Sequence, residues 1–215
     1  MEKSLLRKHF LAVRRGITEN DPQTSEALCR AVSLWLSDKY FRCIGFYAPF
    51  RGEPDITPAV VAALSCGRAQ SAALPVIDSA ERSEMHYALW SPAGELRKNV
   101  YGIAEPGETA EVFPDVIFSP CVAFNRRGFR LGNGKGFFDR YLMLPQVRAA
   151  APQTVAVGYE ALLTDAFASE PHDVAFGWTA TEKGVVKALL DPSQRPWEQA
   201  LTGCAQARAA RTRHQ

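Results

Sequence analysis

The stretch Arg130-Leu-Gly-Asn-Gly-Lys-Gly-Phe-Phe-Asp-Arg-Tyr141 decides how the rest of the chain is read. Glycines at 132, 134 and 136 let a backbone turn tightly and bring its N–H groups against a ligand, and Lys135 sets a cation between them. Phosphate suits such a loop. Phe137, Phe138 and Asp139 follow and lead into Tyr141, Leu142 and Leu144, so the loop is expected to open a helix whose N-terminus favours negative charge. Asp139 then falls in the first turn, within reach of a metal ion beside that phosphate. Two familiar fingerprints fail. A Walker A loop needs Ser or Thr after Gly-Lys, where Gly136 stands, and a dinucleotide loop needs Gly where Phe137 stands. The bland alternative is a glycine-rich surface turn; Arg130, Lys135 and Asp139 together weigh against it.

Outward from the loop, short apolar runs alternate with helical periodicity. Cys43 to Ala48 reads as a strand, Thr57-Pro58 as a cap before a helix through Val60, Val61 and Leu64, and Ser71 to Ile77 as the next strand. Met85 to Trp90, Asp115 to Phe118 and Thr154 to Tyr159 are further strands, with one helix from Phe137 to Ala150. This pattern predicts an α/β fold, a three-layer α/β/α arrangement with a mainly parallel central sheet. Near the start, Leu6, Phe10 and Val13 recur at helical spacing, while Lys3, Arg7 and Arg14 fall near one basic face. A second helix is capped by Asp21 with Pro22 at its first position, and its stripe runs through Leu28, Val32, Trp35 and Leu36. Glu182 to Leu190 reads as a last helix.

The 215 residues, 47% hydrophobic and 22% charged, predict a single domain over 1–190 and a flexible extension over 191–215. The 25 basic and 23 acidic side chains leave +2, which gives no bulk-charge argument for nucleic acid. Arg208, Arg211 and Arg213 are read as a solvated tail, with nucleic-acid binding through them and the first helix as the weakest alternative. No apolar run is long enough to span a bilayer, and Met1 to Arg15 lacks a signal-peptide core, so a cytoplasmic monomer is expected. Five scattered cysteines without a Cys-x-x-Cys pair read as reduced thiols, and zinc spacing is absent.

The frame around the loop, Pro114-Asp-Val-Ile-Phe-Ser-Pro-Cys-Val-Ala-Phe-Asn-Arg-Arg-Gly-Phe-Arg-Leu-Gly-Asn-Gly-Lys-Gly-Phe-Phe-Asp-Arg-Tyr-Leu142, closely resembles the 5-formyltetrahydrofolate cyclo-ligase (methenyltetrahydrofolate synthetase) family. Lys3 with Leu6-Arg7, Ile44-Gly-Phe-Tyr47, Glu53, Gly102-Ile-Ala-Glu-Pro106, Glu170-Pro-His-Asp173 and Thr181-Glu182 agree in order. The resemblance implies a Mg²⁺-dependent enzyme that uses ATP to convert 5-formyltetrahydrofolate to 5,10-methenyltetrahydrofolate, releasing ADP and phosphate. Small molecules, a reduced formylfolate and ATP, are then the partners.

The same resemblance implies roles. Lys3 and Arg7 should meet ATP phosphates, with Arg7 also near the formyl group, and Arg130, Leu131, Gly132, Asn133, Gly134, Lys135, Gly136, Phe137 and Phe138 should wrap the nucleotide. Lys135 and Arg7 are the expected catalytic cations. Asn133 to Phe137 should also border the folate, together with Tyr47, Tyr101 and Glu53, the last at the pterin edge. Asp139 and Asp173 match the family's Mg²⁺ carboxylates. Phe46 fits either the folate slot or the core, and His172 is read as a turn residue. Three departures stand out: Cys121 where the family often has Gly, Asn125 where Asp is usual, and Leu162 in place of a common Gln. They motivate an alternative, a non-catalytic folate- or nucleotide-binding regulatory protein of the same fold.

Overall fold

The computed structural model describes residues 2–107 and 110–190, so the expected extension 191–215 lies outside the described residues. Along the chain run α1 (Lys3–Asn20), α2 (Pro22–Ser37), β1 (Phe41–Gly45), α3 (Thr57–Ser65), β2 (Ala69–Ser79), β3 (Glu84–Trp90), β4 (Leu96–Lys98), β5 (Ala104–Pro106) and β6 (Glu111–Val112). Then follow β7 (Val116–Pro120), β8 (Ala123–Phe124), β9 (Arg130–Leu131), α4 (Phe137–Met143), α5 (Pro145–Ala150), β10 (Gln153–Val157), β11 (Trp178–Thr181) and β12 (Gly184–Lys187). The central sheet has the order β12-β11-β10-β7-β1-β2-β3-β6. Its middle, from β11 through β10, β7 and β1 to β2, is parallel, and antiparallel strands β12, β3 and β6 extend it on either side. The expected α/β fold with a mainly parallel core is what forms.

Side-chain alternation assigns the layers. Trp35 of α2 packs against Phe118 and Trp178, which lie in one register row with Val155. The same face continues through Ile44 and Ala72 to Trp90, where Phe46 meets Trp90 edge-on at 5.0 Å. Tyr87, three residues from Trp90 on β3, has the opposite parity, and it carries Tyr141 of α4 at 5.2 Å. Helices therefore cover both faces. The α2 stripe is buried as its spacing requires, and Asp21 accepts a hydrogen bond from the Thr24 N–H at 3.2 Å, closing the first turn. Truncating a residue as buried as Trp35 costs about 3–5 kcal/mol.

Four local readings change. Glu182 to Leu190 is not a helix: β12 folds back on β11, with Gly184 at φ 135° in the turn and the β-branched Val185 and Val186 in the pairing. The segment Phe137 to Ala150 is two short helices, because Pro145 cannot continue α4 and Leu144 before it turns extended at ψ 135°. Thr57 is the first helical residue rather than the cap, and its N–H is held by Asp55 at 2.8 Å. Arg14, expected near one basic face with Lys3 and Arg7, is buried at 1% exposure. No helix among the described residues is long and apolar enough to cross a membrane.

Candidate active site

Strand order reverses at β1 and β7: the chain leaves β1 for β2 on one side and later places β7 on the other. In open α/β sheets the carboxyl ends at such a point flank a crevice. Tyr47 and Ala48 follow β1, Ser119 and Pro120 end β7, and all four wall a cavity of ≈ 140 Å³. Glu53, Asn99, Tyr101, Ile103, Asn133, Lys135, Phe137 and Phe138 complete much of its lining. The cavity is largely apolar with a few polar groups, as a flat heteroaromatic ligand requires. Phe46, by contrast, is 1% exposed and belongs to the core.

The glycine loop forms the boundary of a second, more open cleft of ≈ 560 Å³. Gly134 and Gly136 adopt φ 91° and 73°, a backbone only glycine takes without strain. Arg7 of α1 donates from Nε to the Gly132 carbonyl at 2.9 Å, and its Cζ lies 3.4 Å from where a Gly134 Cβ would stand. Asn133, Gly134, Lys135 and Gly136 are exposed. Leu131 is different: its side chain is buried in the core, leaving only backbone for a ligand, and its carbonyl accepts from the Val122 N–H at 2.8 Å. Phe137 and Phe138 wall the smaller cavity. Tyr101 meets Phe137 edge-on at 6.0 Å.

The open cleft is strongly charged. Lys3 reaches Glu170 at 2.7 Å and Asp173 at 3.4 Å. Burial opposes its charge, but these carboxylates outweigh that and raise its pKa, while the Lys3 hydrogen bond lowers that of Glu170. Arg130, directly before the loop, donates from Nη1 to both Asp139 oxygens at 3.0 and 3.2 Å and from Nη2 to Oδ2 at 3.3 Å. The Val174 N–H adds a bond to Asp139 Oδ1 at 3.1 Å, so Asp139 and the Asp173–Val174 backbone are drawn together. His172 is exposed and lies 3.4 Å from Glu170.

Asp139 and Asp173 line the same cleft as Lys3, Arg7 and Lys135. Two carboxylates bordering one cleft are hard-oxygen donors of the kind Mg²⁺ takes together with phosphate and water oxygens. The residues therefore fit that ion, although among the described residues no group of three or more His, Cys, Asp or Glu forms a self-sufficient cage.

Glu53, which lines the smaller cavity, is buried; it accepts from the Phe50 N–H at 3.1 Å and sits 3.6 Å from Arg14. Burial pushes its pKa up to about 7, against the pull of Arg14, the Phe50 N–H and the Asn133 side chain. Tyr47 donates to the Pro54 carbonyl at 2.6 Å, and burial followed by the nearby Glu53 holds its hydroxyl protonated.

Sequence reasoning missed several contributors. Glu105, 3% exposed, accepts from Asn99, Arg97 and the Ile77 N–H, and Asn99 Oδ1 in turn accepts the N–H groups of Tyr101 and Ile103. This chain of bonds orients Tyr101. Only the Asn99 and Glu105 identities around Gly102 hinted at it, since no local periodicity marks a side chain that braces a loop. Glu170 as the Lys3 partner was likewise invisible, being separated from it by the whole fold.

None of the three departures lines either opening, although Cys121 directly follows the cavity-wall residue Pro120. Cys121 is buried, burial pushes its thiol up to about 12, and its Sγ meets the Val157 carbonyl at 3.2 Å. Asn125 caps its own turn by accepting the Arg127 and Phe129 N–H groups at 3.0 and 3.1 Å. Leu162 is fully buried after Tyr159.

Residues 1–182 match the model of the 5-formyltetrahydrofolate cyclo-ligase family. A 5-formyltetrahydrofolate cyclo-ligase of Mycolicibacterium smegmatis is 32% identical over 202 residues, covering 87% of this chain and 97% of the relative. The solution structure of the Aquifex aeolicus 5,10-methenyltetrahydrofolate synthetase superposes with a TM-score of 0.69 at 30% identity, over 89% of this chain and 94% of that one. The Mycoplasma pneumoniae 5,10-methenyltetrahydrofolate synthetase, at 23% identity, shares the fold with a TM-score of 0.67 over 85% and 99% of the two chains.

Proposed function

The chain belongs to the 5-formyltetrahydrofolate cyclo-ligase family, and on that premise we propose that it converts 5-formyltetrahydrofolate to 5,10-methenyltetrahydrofolate at the expense of ATP. The observation that carries this reading is that one loop serves two openings. Arg130, Gly132, Lys135, Gly136 and Asp139 border both the aromatic-walled cavity and the charged cleft. A folate in the first and a triphosphate in the second would meet at Lys135.

The chemistry needs positioning and charge neutralisation more than a protein nucleophile. The formyl oxygen takes the γ-phosphoryl group of ATP, ADP leaves, the aminobenzoyl nitrogen attacks the activated carbon, and phosphate departs with the original formyl oxygen as that nitrogen releases its proton to phosphate or water. Lys135 and Arg7 offset the charge on the transferred group, and the Gly132–Gly136 amides are the available backbone donors. Lys3 contributes a further cation once phosphate competes for it with Glu170. Glu53 accepts the pterin N–H pair in its ionised form, while Tyr47, Tyr101 and Phe137 provide apolar walls. Asp139 and Asp173 are the residues that would hold Mg²⁺. The ion, when bound, would neutralise phosphate charge and fix the oxygens of the transferred group.

The buried positions of Cys121, Asn125 and Leu162 leave no observation favouring a non-catalytic relative. The test is direct: purified protein with 5-formyltetrahydrofolate, ATP and Mg²⁺, followed at the methenyl chromophore. Product formation that requires all three is expected; binding without product would overturn the reading.

A further inference from the structure

Arg14 has no part in either opening, yet it is the least exposed charged side chain described in the protein, at 1%. Removing a guanidinium from water is costly unless its hydrogen bonds are replaced. Two of its nitrogens are satisfied: Nη1 donates to the Cys121 carbonyl at 3.3 Å and Nη2 to the Arg51 carbonyl at 3.0 Å. The first carbonyl stands directly after β7 and the second in the loop that follows β1. Its Nε finds no hydrogen-bond partner among the described residues, so the placement is not one that stability alone selects.

The turn it grips carries Glu53. Arg51 and Gly52 both hold left-handed backbone, at φ 49° and 77°, and for Arg51 that conformation costs about 1–2 kcal/mol. The Thr18 hydroxyl, one turn beyond Arg14 on α1, shares its single proton between the Gly52 and Arg14 carbonyls, each at 3.0 Å. Two side chains of one helix thus tie down two successive carbonyls of a strained turn. Arg14 Nη1 also lies 3.6 Å from Glu53 Oε1, too long for a good hydrogen bond but close enough for a strong field in a buried setting. The same helix carries Lys3 and Arg7 at the phosphate cleft.

We propose that Arg14 is a positioning residue: from behind the cavity wall it sets the direction and the negative charge of the Glu53 carboxylate, so that Glu53 presents acceptors to the pterin edge. This rests on the proposed folate reading. Among the groups around Glu53, Asn133 and the Phe50 N–H add neutral donors, and Tyr47 and Cys121 keep their protons. Asp55 lies on the same loop, and Lys135 and Arg130 face the shared cavity. Arg14 is the cation paired with the carboxylate.

The experiment uses full-length protein labelled with ¹³C at glutamate side chains, and it tests the coupling without reference to turnover. In Arg14→Gln the Glu53 carboxyl should titrate about one unit higher than in wild type, which lowers its ionised fraction at pH 7 about five-fold. Arg14→Lys should restore most of that shift. In parallel, the KM for 5-formyltetrahydrofolate in Arg14→Gln should rise about five-fold at pH 7 and approach the wild-type value at pH 9, with the KM for ATP unchanged. An unshifted Glu53 titration, or a KM defect of equal size at every pH, overturns the proposal. If Arg14→Gln fails to fold, Glu53→Gln decides: it should abolish the acid limb of wild-type folate affinity, and a persisting limb overturns the assignment. Absence of cyclo-ligase turnover in wild type would count against the proposed function, while the carboxyl titration would still report on Arg14 and Glu53.

Discussion

The Arg130 guanidinium clasps the Asp139 carboxylate through both oxygens, at 3.0 to 3.3 Å, across the loop that separates them in sequence. The pair closes the ring from the start of β9 to the first turn of α4, and it presents the Gly132–Gly136 segment as a bracket rather than a loose turn. Arg130 is packed in place from the other side, 4.4 Å over the Phe176 ring.

Replacement Asp139→Asn should therefore have two effects. Loss of charged hydrogen bonds to Arg130 should cost about 2–3 kcal/mol of stability, read as a lower thermal midpoint. The Mg²⁺ concentration for half-maximal turnover should also rise by at least about an order of magnitude, since losing even an outer-shell partner of a metal ligand costs about 10–100-fold in affinity. An unchanged Mg²⁺ requirement would remove Asp139 from the metal site and leave it a purely structural partner of Arg130.

Lys135 is exposed and forms no ion pair among the described residues, so its removal should leave folding intact. Lys135→Ala is expected to lower kcat by about 10²–10³, the usual effect of deleting a group that neutralises developing charge, with an unchanged melting curve. Wild-type kcat in this variant would exclude the loop cation from the reaction.

Glu53 links activity and stability to pH in opposite senses. Its folded-state pKa is raised to about 7 from 4.5, chiefly by burial. The folded protein holds this proton more tightly than the unfolded chain, so the stabilising contribution is complete below about pH 4.5 and is lost as pH rises to about 7. Folate affinity should move the other way and weaken as pH falls through 7, because the pterin donors need the carboxylate. Glu53→Gln should flatten both trends; its thermal midpoint relative to wild type should increase between pH 5 and pH 8.

Gly134→Ala tests the bracket itself. At φ 91° an added Cβ is strained by about 1–2 kcal/mol, and it would stand 3.4 Å from Arg7 Cζ. The added Cβ only reaches ordinary contact with Arg7, so the strain lies in the backbone; a small drop in stability and a loss of turnover are expected as the loop relaxes away from Arg7. Turnover equal to wild type would show that Arg7 does not need its present seat against the loop.

Much of the framework was legible because it is local. The Asp21 cap, Pro22 and the stripe from Leu28 to Leu36 specify α2 from within one helix, and the buried β1 and β7 runs announce a parallel core. Lys3 and Arg7, four residues apart, could be placed together on α1 before any tertiary information. The glycine loop named its own chemistry through residue type, since Gly134 and Gly136 admit backbone angles other residues resist and Lys135 supplies charge. Where a reading failed, a distant partner or a neighbouring residue decided: β12 is a strand because β11 offers it an edge, and α4 ends because Pro145 follows it.

What the sequence by itself determined is the α/β layering, the phosphate-suited loop and the family to which both belong. Only the tertiary structure decided which charges pair and which are buried: Arg130 with Asp139, Lys3 with Glu170 and Asp173, Arg14 behind Glu53. The reason is physical. A loop's backbone freedom and a helix's periodicity are properties of consecutive residues, whereas desolvation and ion pairing depend on what the fold brings within a few ångströms. Arg7 and Arg14 occupy one helix and looked alike in sequence; the fold opens one to the cleft and seals the other behind the cavity wall.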